Sequence, residues 1–351
     1  MKKGILLCFV VFGLLFAGCH SSDDTYGDWQ KVAPISGTAR VGAVSFKIGE
    51  YVYVGLGYDQ DNDPVNSFIR TKDGVSWQSV AEFTGAGRMG GIAFVIGNKA
   101  YVGTGYTLAK QNVDRKFYSD FYCYDSTTDT WTKVTDNFGG VGRRNAIAFT
   151  LKKDGKEVGY IGCGSTNNDK EFLNDFWSFD GTTWKSEDSH GRKRNGGTVF
   201  VIDNIAYICT GYEAQSQLAP DMLKFDGTNW SELNKIVDAT DEGFDDDYRT
   251  IQRAHAVSFT ATIDGEIRGY LATGANISSL IRNCWEYDPK TDRWDEVNPL
   301  PSFMPARQGA VAYTVGDYGY VTLGGTSVED AAFDDTWRFV PGIDAEDKND
   351  Y

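Results

Sequence analysis

The sequence predicts an all-β fold, a six-bladed β-propeller of four-stranded antiparallel blades, and three observations predict it. First, an arginine is followed six residues later by an aromatic ring six times: Arg40/Phe46, Arg88/Phe94, Arg143/Phe149, Arg194/Phe200, Arg253/Phe259 and Arg307/Tyr313. Successive arginines lie 48, 55, 51, 59 and 54 residues apart, so one unit of about 50 residues is copied six times. Second, every copy carries four short β-type runs, and no amphipathic helical pattern appears between them. Third, the two ends complement each other. Copy six stops after a third run at Thr336-Trp337-Arg338-Phe339, and an orphan fourth run, Trp29-Gln30-Lys31-Val32, precedes the first arginine. Joining them completes the last blade and removes the open sheet edge.

Each element follows from its residues. The first strand is the small and β-branched run after each arginine, as in RVGAVSF, RMGGIAF and RQGAVAY. The second opens on a tyrosine: Tyr53, Tyr101, Tyr160, Tyr207, Tyr270 and Tyr320. In copies three and five this tyrosine arrives four residues late, and the extra residues contain Asp154-Gly155 and Asp264-Gly265, a pair suited to a tight hairpin tip. The third strand is a run such as DFWSFD from Asp175 or CWEYD from Cys284, and the fourth opens on Trp77, Trp131, Trp184, Trp230 or Trp294.

The pattern of tyrosine, Gly-x-Gly, (D)FW-x-(Y/F)D, a turn and tryptophan resembles the kelch repeat, particularly the subgroup related to the central domain of galactose oxidase. The resemblance covers residues 26 to 340. It departs from the common pattern where the double glycine survives only at Gly324-Gly325, and where Ser67-Phe68-Ile69-Arg70 replaces the DFW run. The resemblance implies a propeller and implies little about activity, because the fold hosts enzymes and binding modules alike.

Composition fits one domain. With 41% hydrophobic residues and 40 glycines in 351, the chain can bury a large sheet core. A formal net charge of −15 argues against nucleic acid and anionic lipid headgroups as partners. Cys123, Cys163, Cys209 and Cys284 lie in strands at no metal-ligand spacing and read as small buried hydrophobes.

Residues 1–18 read as a signal peptide: Lys2-Lys3, then an apolar run from Gly4 to Ala17 too short to span a bilayer. Leu15-Phe16-Ala17-Gly18-Cys19 resembles a bacterial lipobox, which implies cleavage before Cys19 and lipidation of that thiol. Residues 19–28 form the tether, 29–340 the propeller and 341–351 an acidic tail. The stretch His20-Ser21-Ser22-Asp23-Asp24 resembles the acidic tag of surface lipoproteins in gram-negative bacteria, so an outer-membrane location, exposed at the cell surface, is expected, with the lipid as the sole membrane contact. The tether spans at most about 30 Å and enters at the start of a fourth strand. The face with the first-to-second and third-to-fourth turns should therefore lie toward the membrane, and the opposite face outward.

The outward face carries the candidate site. Arg40, Arg88, Arg143, Arg194, Arg253 and Arg307 should ring the channel mouth there. Such a ring could clamp a carboxylate, as kelch proteins that bind acidic peptides and the sialic acid mutarotase use arginines at similar places. Alternatively each arginine pairs with an aspartate of a neighbouring third strand and locks blade to blade, which occurrence in all six copies favours. Tyr58, Tyr106 and Tyr212 follow the Gly-x-Gly of blades one, two and four, where the other blades have Ser165, Ala275 and Thr326. They either offer flat rings to a sugar or peptide or pack beneath the loops. His255, two residues after Arg253, stands where other blades have glycine or Asn145, and with Arg253 it is the catalytic candidate if the protein is an enzyme. The insertion between Trp230 and Arg253 holds Asp238, Asp241, Glu242, Asp245, Asp246 and Asp247, with Phe244 and Tyr248 interleaved, and reads as a functional loop on the binding face, a solvated acidic excursion or a calcium site. Asp59, Asp61 and Asp63 alternate as the start of a calcium loop does, but Pro64 and Arg70 replace its glycine and glutamate.

No cofactor is expected. The copper of galactose oxidase needs two histidines and two tyrosines, one linked to cysteine, and His190 and His255 come from non-adjacent blades. The expected function is a monomeric, surface-tethered binding or scaffolding lipoprotein whose partner is a glycan or protein. The alternative is a carbohydrate-active enzyme, a sugar isomerase, mutarotase or oxidase-like protein, with its site at the channel mouth.

Overall fold

The computed structural model describes residues 26–109, 114–166, 171–327, 329–330 and 332–344. Cys19, the leader, nearly all of the tether and the end of the acidic tail lie outside them. Six four-stranded antiparallel sheets follow one another, and almost no helix is present among the described residues. Blade one is Val44–Ile48, Tyr51–Gly55, Phe68–Thr71 and Gln78–Val80. Blade six is Val311–Val315, Tyr318–Thr322 and Thr336–Asp344, completed by Tyr26–Val32.

The closure is the one expected, with Trp29 opposite Phe339 and Lys31 opposite Trp337. It is also longer than expected, because pairing runs outward to Tyr26 and Asp344. Two contacts explain the extension. The Phe339 ring lies so close over Gly27 that a Cβ there would overlap it. Asn298, from blade five, donates from its side chain to the Gly27 carbonyl and accepts the Trp29 indole N–H at 3.2 Å on its own carbonyl.

The arginine-to-aromatic period has a packing cause. The ring six residues after each arginine stacks on the second-strand tyrosine directly across the ladder, in all six blades. Centroids lie 5.0–5.5 Å apart, from Phe46 on Tyr53 to Tyr313 on Tyr320. Burying each pair needs a neighbouring sheet, so the core is six wedges between successive blades rather than one central mass. In blade six, Gly319 leaves the room that the Phe259 ring of blade five fills.

At the axis the blades are tied through backbone alone. The amides of Gly42, Gly90, Asn145, Gly196, His255 and Gly309 each donate to the carbonyl of the equivalent residue one blade earlier, closing a ring of six bonds. All six residues have φ between 52° and 68°. That is glycine's region, which Asn145 and His255 also adopt. Inside this ring of residues the axial channel holds about 220 Å³, lined by small residues of the six innermost strands such as Ala43, Gly91, Ala146 and Ala310.

Candidate functional site at the channel mouth

The six arginines do not ring the mouth. Each guanidinium is at most 2% exposed and is held inside its own blade. Arg143 donates to both Asp175 oxygens at 2.6 and 2.7 Å, to the Cys163 carbonyl at 3.1 Å, and through Nε to the Val141 carbonyl at 3.1 Å. Arg88 and Arg307 take both oxygens of Asp120 and Asp335 in the same way, and Arg194 takes one oxygen of Asp221. Arg40 takes Ser67, and Arg253 takes Asn283. Lacking a carboxylate, Arg40 and Arg253 are both pushed down by burial to about 10. The partner precedes the arginine's own third strand, which corrects the expectation of a neighbouring blade. Blades are joined instead by each arginine's backbone carbonyl, which accepts an N–H from the Gly-x-Gly of the preceding blade, Gly57 to Arg88 through Gly324 to Arg40.

The mouth is built by the residue after each arginine. Alternation along an extended segment sends it to the other side of the backbone. It bridges to the residue following the Gly-x-Gly: Val41 to Tyr58, Arg144 to Ser165, Asn195 to Tyr212, Ala254 to Ala275 and Gln308 to Gly325, so that in blade six Gly325, not Thr326, is the equivalent of Tyr58. Met89 pairs with Tyr106 in the same way. The two halves of the mouth differ. In blades one and two, Val41, Tyr58, Met89 and Tyr106 form an apolar cluster covered by Leu108 and Phe117. In blades three to five, Arg144, Ser165, Asn195, Tyr212 and His255 form a polar arc. Ser165 Oγ donates to Asn195 Oδ1 at 3.3 Å and accepts from Arg144 Nε at 3.4 Å.

The three tyrosines therefore differ. Tyr58 and Tyr106 are buried, at 4% and 1% exposure, and only Tyr212 is partly open. Two guanidiniums lie over the Tyr106 ring, Arg144 at 4.9 Å and Arg115 at 5.4 Å from its centre. Its hydroxyl donates to Glu329 Oε1 at 3.0 Å. Burial first, and then the Glu329 charge, push its pKa well up, so it stays a donor.

His255 sits half-buried on the axial ring with Tyr212 6.3 Å away, and its imidazole covers Gly196. Burial, with the charge of Arg144, pushes it down to about 4, which keeps it neutral at pH 7. His190 packs instead on Trp230, 4.6 Å between rings, and burial likewise pushes it down to about 4.

The acidic segments have local roles. Asp59 Oδ1 accepts the amides of Asp61 and Asp63 at 3.0 and 2.9 Å, so this carboxylate organises a turn. Among the described residues, the one group of three acids within reach of a single ion is Asp238, Asp245 and Asp246. Asp245 there accepts the amides of Ala239 and Thr240 and the Thr240 hydroxyl. The aromatics of this insertion pack between blades four and five. Tyr248 is 1% exposed and accepts the Trp294 amide at 2.6 Å, and Phe244 packs edge-on against it.

The residues that sequence reasoning missed are Arg144, Arg115 and Glu329. Arg144 had a signal: of the six residues that follow the arginines, five are uncharged and it is the charged one. Arg115 and Glu329 lie in long second-to-third loops, where no period constrains them.

No protein-family model and no curated protein sequence matches the chain. Among solved structures, the one titled "Structure of YjhT" is similar, with a TM-score of 0.67 and 15% identity over 86% of this chain and 96% of that one. At that identity the likeness shows the fold alone, a six-bladed β-propeller.

Proposed function

We propose that this chain is a kelch-like lipoprotein, tethered through Cys19, that binds a glycan or protein at the propeller mouth. The carrying observation is asymmetry. A ring with six near-identical clamps has an apolar half and a polar half where its loops converge. Pure architecture repeats six-fold, whereas a ligand is asymmetric and favours a lopsided rim. The short tether entering at Tyr26 supports an outward mouth. The test is glycan-array and calorimetric binding by wild type, Arg144→Ala and Asn195→Ala. Wild type should bind a narrow set of ligands, and each variant should lose about tenfold or more with its melting temperature within a few degrees. Ligand binding that survives both substitutions would remove the mouth from consideration.

One observation favours a catalytic second reading: a neutral imidazole, His255, beside the Tyr212 phenol at the centre of this rim. Sugar isomerisation or mutarotation that disappears in His255→Asn, with ligand binding retained, would select it.

A further inference from the structure

We infer that Arg115, Arg144 and Tyr106 form a carboxylate subsite at the mouth that the chain's own Glu329 occupies, and that an external carboxylate enters by displacing it. The inference rests on the mouth being the binding site proposed above.

Glu329 belongs to the second-to-third loop of blade six, whereas its partners belong to blades two and three, more than 180 residues away in sequence. The Glu329 carboxylate accepts from Tyr106 at 3.0 Å and from Arg115 Nη2 at 3.1 and 3.2 Å on its two oxygens, and Arg144 Nη1 lies 3.8 Å from Oε1. Two guanidiniums and a phenol converging on one carboxylate are a donor set for that group. Both arginines also lie over the Tyr106 ring, which itself stacks on Phe117 at 5.5 Å and 19°. Arg144 is thus held over the Tyr106 and Phe117 rings, 4.9 and 5.8 Å from their centres, and by Ser165 Oγ, contacts that do not involve Glu329.

The occupant is open to solvent. Its side chain is 32% exposed, like Arg115 at 30% and unlike Arg144 at 13%. Its loop is tied to blade one by Gln60, which donates to the Ala332 carbonyl at 3.1 Å. Beside the carboxylate opens a pocket of about 360 Å³ lined by Asp61, Asn62, Leu108, Arg115, Glu329 and Asp330. Asp61 and Asp330 disfavour an anion that merely adds to the pocket. A carboxylate that replaces Glu329 leaves the charge balance unchanged, and hydroxyl or amine groups next to it would meet Asp61, Asn62 and Asp330. The ligand class is thus a carboxylate carrying donors, from an acidic sugar or an acidic peptide.

The test follows phenylglyoxal modification of each arginine by peptide mass spectrometry, in wild type and in Glu329→Gln. Sodium acetate is compared with sodium chloride at equal ionic strength. In chloride, Arg115 and Arg144 should react about fivefold faster in the variant, the factor expected when a partly exposed charge pair stops competing. Acetate should restore the slow rate. Buried Arg143 and Arg307 report the fold. If they also speed up, Glu329→Asp, with its shorter reach, replaces the glutamine variant and should give an intermediate rate. Unchanged rates at Arg115 and Arg144 would overturn the occupied subsite. Faster rates that acetate does not slow would overturn the carboxylate ligand. Protection by glucuronate or by hexaglutamate then separates the two sources. Acetate exchange with no hit on any array would leave the subsite standing and the glycan reading fallen; array binding with no exchange would do the reverse.

Discussion

Arg143 and Arg144 are adjacent in the chain and have opposite roles. Arg143 is fully buried and its guanidinium holds the start of its own blade's third strand through Asp175. Arg144 points to the mouth, lies over the Tyr106 ring and approaches Glu329. The first position is arginine in all six blades. The second is Val41, Met89, Arg144, Asn195, Ala254 and Gln308. In a repeat protein the invariant position serves what every copy must do, which is to fold. In the function proposed above, the positions where the copies disagree are the ones that meet the ligand.

The largest expected effect tests that division directly. Arg143→Ala removes a fully buried guanidinium and strips the Cys163 and Val141 carbonyls and the half-exposed Asp175 carboxylate of their donor, which should cost about 2–4 kcal/mol. Arg144→Ala removes a partly exposed cation and should cost about 1 kcal/mol or less. Urea unfolding of both variants measures the gap, and equal midpoints would erase the distinction between framework and site.

A second comparison lies within the axial ring, where Asn145 and His255 replace glycine. Both hold left-handed backbone, at φ 52° and 54°, and both lay a side chain over the glycine of the preceding blade. His255→Asn therefore has a template in the molecule itself and should fold. The difference should appear in pH dependence. The folded His255 is pushed down to about 4 from its ordinary 6.5. Between those values the unfolded chain binds a proton that the folded chain refuses, so stability falls as pH drops through that window. At about 1.4 kcal/mol per pKa step, reduced by access to water at the mouth, His255 contributes about 2 kcal/mol of this loss. His190, also pushed down to about 4, adds its own share. Melting curves from pH 7 to pH 4 should be shallower for His255→Asn than for wild type. Parallel curves would place the imidazole in open water.

Much of this was legible beforehand, for a physical reason. The six-residue and thirteen-residue spacings put two rings opposite each other across one hairpin, so local periodicity reported a contact made within about twenty residues. Ring closure was legible because an orphan strand and a missing strand must pair. The arginines' partners were present as Asp120, Asp175, Asp221 and Asp335, but which blade owned them depended on the direction a buried side chain takes. Glu329 was not legible at all. Its contacts to Tyr106 and Arg115 span 223 and 214 residues, and a loop carries no period to announce them. In the acidic insertion the charges are conspicuous, but Tyr248 and Phe244 determine where it packs.

The six clamps also differ among themselves, and this gives the smallest test. Blade five holds Arg253 with neutral Asn283, while blade three holds Arg143 with charged Asp175. Asp175→Asn converts the second kind into the first. A hydrogen bond to a charged group exceeds a neutral one by about 1 kcal/mol, and the Trp177 indole, now on Asp175 Oδ2 at 2.8 Å, would keep an oxygen to donate to. The variant should thus lose about 1 kcal/mol at pH 7, far less than Arg143→Ala. The loss should itself depend on pH. Burial works to raise Asp175, but its bonds to Arg143 and Trp177 outweigh it and hold the carboxyl below the ordinary 3.8. Its contribution is present above that value and disappears as pH falls through the lower folded pKa. The gap between wild type and variant should therefore begin to narrow below about pH 4 and close only once the pH is below the lowered folded pKa. A gap that persists in acid would mean that Asp175 holds Arg143 by shape, as Asn283 holds Arg253, and that its charge adds nothing.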